Sequence, residues 1–100
     1  MFIAMNRFQI ALGHEADFEA LWRKRDSHLE NVPGFQEFHL LRGPTNEECT
    51  LFASHSLWTS RQAFENWTNS EAFRRAHASA RAPKGTYLSH PVYEGFEVVL

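Results

Sequence analysis

Residues 35–67, FQEFHLLRGPTNEECTLFASHSLWTSRQAFENW, decide the fold. Apolar and polar residues alternate from Phe35 to Arg42 and again from Cys49 to Trp58, the period of two that a half-buried strand requires. Gly43-Pro44-Thr45-Asn46 between them reads as a turn, so the two runs make a hairpin. Thr59-x-x-Gln62 then fits a capping box, in which the Thr hydroxyl and the Gln amide satisfy the first free N–H groups of a helix. That helix carries Ala63, Phe64 and Trp67 inward.

Upstream, MFIAMNRFQI at residues 1–10 is strand-like, with Phe2, Ala4, Asn6, Phe8 and Ile10 on one face and Ile3, Met5, Arg7 and Gln9 on the other. Gly13 and His14 punctuate, and Glu15 opens a helical stretch in which Phe18, Leu21, Trp22, Arg25, Leu29 and Val32 recur at three- and four-residue steps. This spacing predicts a helix reaching Asn31 to Gly34, where Pro33 stops it. Downstream, Thr68-Asn69-Ser70 interrupts the helix, and Ser70 with Glu71 caps a new one carrying the stripe Phe73, Ala76, His77, Ala80. Pro83 and Gly85 end it, and a loop with Pro91 leads to a last strand from Val92 to Leu100. The order β-α-β-β-α-β predicts an α+β, ferredoxin-like domain over residues 1–100, with helices on one face of a four-stranded antiparallel sheet. Aromatic residues fall on more than one sheet face and no helix is left for the second. A homodimer with packed sheets, a dimeric α/β barrel, is therefore expected.

The chain has 100 residues, 43% of them apolar, with nine Phe and three Trp, enough for one core. Ten Lys and Arg against twelve Asp and Glu leave a net charge of -2, which removes the basic footprint of a nucleic-acid binder. Cys49, the single cysteine, has no partner for an internal disulfide, and no apolar run approaches the roughly 18 residues of a membrane span. A cytoplasmic setting without membrane contact is expected. His28, His39, His55 and His90 are scattered, and HExxH, CxxC, GxSxG and phosphate-cradling glycine loops are missing from the sequence. A protein-built zinc or di-iron site and a serine or cysteine nucleophile have no support.

Four residues could carry chemistry. His77 lies in line with Phe73 and Ala76, where a core histidine bonded to a carbonyl is one reading. The small neighbours Ala76, Ala78, Ser79 and Ala80 favour another, an imidazole beside open space that suits an axial ligand to haem iron. Asn6 sits on an apolar strand face and needs a partner, either nearby backbone or an iron-bound oxygen species. Trp67, just before the helix break, either fills core or presses on a planar ligand. Arg25 lies on the apolar stripe between Trp22 and Leu29, where it snorkels or binds a ligand carboxylate.

Together these residues resemble the IsdG-type haem-degrading monooxygenases of the antibiotic biosynthesis monooxygenase superfamily. The likeness rests on Asn6-Arg7, on Val32-Pro33-Gly34-Phe35, on Trp58 to Trp67, and on Ala76-His77 ten residues beyond that Trp. It implies that His77 is the proximal haem ligand, that Asn6 hydrogen-bonds the oxygen ligand, and that Trp67 crowds the porphyrin out of plane. It places Arg25 near the bound haem and Trp22 at a helix position where relatives often carry Phe. It further implies that haem is both substrate and cofactor, that O2 and an external electron donor such as a reductase take part, and that the macrocycle opens to a bilin-type product with release of iron. Two alternatives share the fold: a cofactor-independent monooxygenase acting on an aromatic or quinol metabolite, and a non-enzymatic haem-storage or transfer protein.

Overall fold

The alternation of the first ten residues becomes the second strand from one edge of a sheet. The computed structural model describes residues 1–25, 29–79 and 84–100, with the side chains of all of these but 77–79. It contains β1 (Phe2–Ala11), α1 (Glu15–Lys24), a 3₁₀ turn (Leu29–Asn31), β2 (Phe35–Thr45), β3 (Cys49–Trp58), α2 (Arg61–Thr68), α3 (Glu71–Ser79) and β4 (Val92–Glu97). The sheet has the order β2-β3-β1-β4 with every pairing antiparallel, the α+β ferredoxin-like fold that the element order predicts.

The register of β1 on β3 explains where the molecule is solid and where it is hollow. Facing pairs on the buried face run Phe2 with Trp58, Ala4 with Ser56, Asn6 with Ser54, Phe8 with Phe52, and Ile10 with Thr50. Large residues thus close both ends of the face, and small or polar ones occupy the middle. One buried cluster, Phe8, Ile10, Phe18 and Phe52, joins the sheet to α1. Its rings interlock, with Phe18 at 5.0 Å from Phe52 and 5.3 Å from Phe8 between centroids. The other cluster, Phe2, Ala4, Leu29 and Trp58, packs against Phe64 and Trp67 of α2.

Local chemistry moves several predicted boundaries. The first helix ends at Lys24, because Arg25 is extended at φ -73° and ψ 117°. Leu29 then belongs to the Trp58 cluster rather than to the Phe18 cluster, and a helix continued straight on could not serve both. Its predicted course through 26–28, including His28, lies outside the described residues. The hairpin turn falls at Asn46 to Cys49, three residues later than predicted. The Asn46 side-chain oxygen accepts from the Glu48 and Cys49 amides at 2.7 and 2.8 Å, a local turn that competes successfully with the Gly-Pro pair. Pro44 is instead tolerated in edge strand β2, where the pairing with β3 shifts between Arg42 and Thr45.

The cap of α2 is Ser60, whose hydroxyl accepts from the Ala63 amide at 3.1 Å. Thr59 does not cap: its amide donates to the Gly34 carbonyl at 2.8 Å, and Gln62 bonds Asn66. That contact requires Gly34, since its φ is +86° and a Cβ there would stand 2.4 Å from the Ala63 Cβ. Ser70 caps α3 as predicted, accepting from the Phe73 amide at 3.2 Å. Ala80 and Pro83 lie outside the described residues. The last strand stops at Glu97, which faces Phe2, and one further bond, from the Val98 amide to the Met1 carbonyl at 2.9 Å, closes the pairing at the start of the chain. Leu88 and Thr86 bond Gln9 and Ala11 of β1, so residues 86–88 line the stretch of its edge that β4 leaves free.

Candidate functional site

The hollow middle of the sheet face opens into a cavity of about 470 Å³. Ala4, Asn6, Ser54, Ser56, Phe38 and Tyr93 form its sheet side; Trp22, Arg25 and Leu29 border it from one flank, and Phe64, Trp67, Thr68 and Phe73 from the other. Three of the predicted site residues from separate parts of the chain, Asn6, Arg25 and Trp67, meet here together with Trp22. His77 is a residue of α3, four positions after the cavity-lining Phe73, and its side chain lies outside the described residues.

Trp22 is held by its neighbours. Its ring stacks on Phe38 at 5.5 Å and 20°, and meets Phe8 and Phe18 edge-on at 5.9 and 6.1 Å. Its indole N–H is buried and has no hydrogen-bond partner among the described residues. A donor left so costs about 1–3 kcal/mol unless something bonds it. Arg25 lies over the same ring, its guanidinium carbon 4.6 Å from the ring centre. Burial pulls the Arg25 pKa down, against an opposing pull from Tyr87. The guanidinium thus covers an indole and borders the cavity.

Trp67 is caged by Phe73 at 4.7 Å edge-on, by Trp58 at 5.5 Å and by Phe64 at 6.4 Å. It is core filling and cavity wall at once, so the ring presented to the cavity is rigidly backed. Asn6 is half-buried between Ser54 on β3 and Tyr93 on β4, its facing residues on either side. Its side chain makes no hydrogen bond among the described residues, which leaves the amide to the cavity. Tyr93 stacks flat on Phe64 at 5.8 Å and 2°. Burial pushes its phenol pKa up, with Arg61 opposing, so it stays protonated at neutral pH.

Ser54, Ser56 and Tyr93 are cavity residues that reading the sequence missed. The signal was available: the buried face of β3 reads Thr50, Phe52, Ser54, Ser56, Trp58, two hydroxyls where a core strand would carry bulk. Of the described lining residues only Arg25 and Tyr93 ionise, so these side chains offer hydrogen bonds, rings and one cation, with no carboxylate for acid–base work.

The family model for antibiotic biosynthesis monooxygenases matches residues 1–79. The chain belongs to that family. Within it, the chain is 35% identical over 103 residues to a haem oxygenase (mycobilin-producing) of Mycobacterium tuberculosis, spanning 98% of this chain and 89% of the relative. The structure of MhuD, a haem-degrader from the same organism with two haems bound in its active site, superposes with a TM-score of 0.76 at 33% identity, covering 100% of this chain and 97% of that one. A mutant of MhuD with two manganese protoporphyrin IX bound per active site gives 0.78 at 31%, covering 100% and 96%. SnoaB, a cofactor-independent oxygenase from Streptomyces nogalater, gives 0.70 at 18% identity over 99% and 93%, a likeness of fold. Among the described residues no helix is long and apolar enough to cross a membrane.

Proposed function

We propose that this chain is a haem-degrading monooxygenase that binds haem through His77 and, with O2 and electrons from an external donor, opens the ring to a bilin-type product and releases iron. The observation that carries the reading is the cavity itself: a ring-lined space with a polar floor at Asn6 and Ser54, in a chain 35% identical to a haem oxygenase along nearly its whole length.

The residues present fit a porphyrin. Trp22, Phe38, Phe64, Trp67 and Phe73 give flat apolar walls to a flat apolar ring. The Arg25 guanidinium and the orphaned Trp22 N–H are donors suited to the ring's carboxylates. Haem supplies the iron that activates O2 and is itself the ring that is opened. His77 is the residue that would hold that iron, as a neutral imidazole. Asn6 would aim an amide N–H where oxygen chemistry develops charge, and a directed donor there contributes about 2–4 kcal/mol. Trp67, backed by Phe73 and Trp58, resists displacement and so presses on a bound ring. The chain thus acts by holding, orienting and excluding water.

The same reading includes a homodimer, with the protein acting as one domain over residues 1–100 in the cytoplasm. Its support is a sheet face without helices, where Leu41, Val92 and Phe96 are exposed beside the Arg7–Glu94 and His39–Glu37 pairs. The chain also exposes 6728 Å², against roughly 5,800 Å² for a monomer of this mass. The functional test is direct. Hemin added to the protein develops a shifted Soret band, and ascorbate in air then bleaches it with release of chelatable iron, in the wild type but not in His77→Ala. A Soret band stable to ascorbate and air points to haem storage instead, and failure to bind hemin refutes the reading.

A further inference from the structure

Ser54 is the most deeply buried hydroxyl on the cavity floor, 5% exposed at the centre of β3. Its neighbour Ser56 is fully engaged: its hydroxyl accepts from the Trp58 indole at 2.9 Å and donates to the Ala4 carbonyl at 3.4 Å. Ser54, by contrast, makes no side-chain hydrogen bond among the described residues. Ser54 lines the cavity, and alanine would serve equally well if the position needed only a small residue. The hydroxyl faces Asn6 across the β1–β3 pairing. Opposed cross-strand residues hold their Cβ atoms about 4.5–5.5 Å apart, so an amide and a hydroxyl there can reach one small atom lying between and above them.

We infer that Ser54 is a second hydrogen-bond donor of the floor, acting with Asn6 on the small oxygen ligand or water bound to the haem iron. The inference rests on the proposed haem-degrading function. It assigns the distal contact to two donors on adjacent strands, which fixes the position of a small ligand better than one amide can. Phe8 with Phe52 at one end and Phe2 with Trp58 at the other leave that central pair as the polar point of the floor.

Fluoride is the probe, because as a sixth ligand to ferric haem it accepts hydrogen bonds and reports on donors nearby. Hemin-loaded wild type, Ser54→Ala and Ser54→Thr are titrated with fluoride, and the ligand-free proteins are melted in parallel. Ser54→Ala is expected to bind fluoride about tenfold more weakly, Ser54→Thr to restore the affinity, and Ser54→Ala to melt no lower than wild type. Equal fluoride affinity in wild type and Ser54→Ala overturns the inference and leaves the functional reading standing. So does a lower melting temperature with fluoride affinity unmoved, which marks a structural hydroxyl. Failure of the wild type to bind hemin removes both.

Discussion

The two ends of β1 meet the helices in opposite ways. Toward Ile10 the face is dry and interlocked, with Phe18 in ring contact with both Phe8 and Phe52, and Phe18 and Phe52 essentially sealed from solvent. Toward Phe2 the sheet is equally well closed at Trp58, yet one step inward Ala4, Asn6, Ser54 and Ser56 give up bulk and the helices stand over a cavity. Interiors are normally packed to crystal-like density, so an interval of small polar residues between two aromatic rows costs stability that function must justify. The dry end holds the fold; the hollow interval serves a ligand.

Mutations should separate these two roles. The largest loss is expected at the dry end: Phe52→Ala should destabilise the ligand-free protein by about 3–5 kcal/mol, read as a fall in denaturation midpoint. A cost below about 1 kcal/mol would mean that this end is not the anchor. Asn6→Ala should leave the denaturation midpoint almost unmoved while slowing hemin turnover by about 2–4 kcal/mol of barrier, which steady-state bleaching measures. A stability loss without a rate effect would place Asn6 among the structural residues. Ser54→Val should sharpen the contrast in the other direction. It replaces a cavity-facing hydroxyl with a strand-favouring apolar side chain, so stability should hold or rise while hemin binding weakens.

The smallest effect concerns pH. Hydrogen bonds from its own amide, from Thr50 Oγ and from the Gly13 amide hold the Glu15 carboxyl below the usual carboxylate range. Because the folded value is lowered, the stabilisation is present above the ordinary value of about 4.3 and is lost as pH falls through the lowered one. Glu15→Gln should therefore melt below wild type at neutral pH and converge with it in acid. The group joins α1 to β3 through Thr50, so convergence should accompany loosening of the dry end, visible as faster amide exchange in α1.

Much of this was legible in the chain. Alternation marked the first three strands and the Pro91 loop the start of the last, and the steps Phe18, Leu21, Trp22 marked a helix whose continuation was overestimated because Leu29 keeps the helical spacing while serving the other cluster. The turn and the α2 cap were misplaced by a few residues because Asn46 and Ser60 compete with equally plausible neighbours, and only tertiary contacts such as Thr59 with Gly34 decide between them. Asn6, Arg25 and Trp67 were each singled out for an apolar stripe broken by polarity, or for a ring beside a break, and Trp22 through the family resemblance. Ser54 escaped although the two serines stand where a core strand carries bulk, because only the register sets it opposite Asn6 between two aromatic rows.

A hemin titration followed at once by the Soret band and by tryptophan fluorescence tests the central claim most directly. If the ring sits in the interval between the two aromatic rows, the band shifts saturably and the emission of Trp22 and Trp67 is quenched in step, with Ser54→Val weakening both. A Soret shift that leaves the tryptophan emission untouched would put the porphyrin elsewhere on the protein and contradict the account.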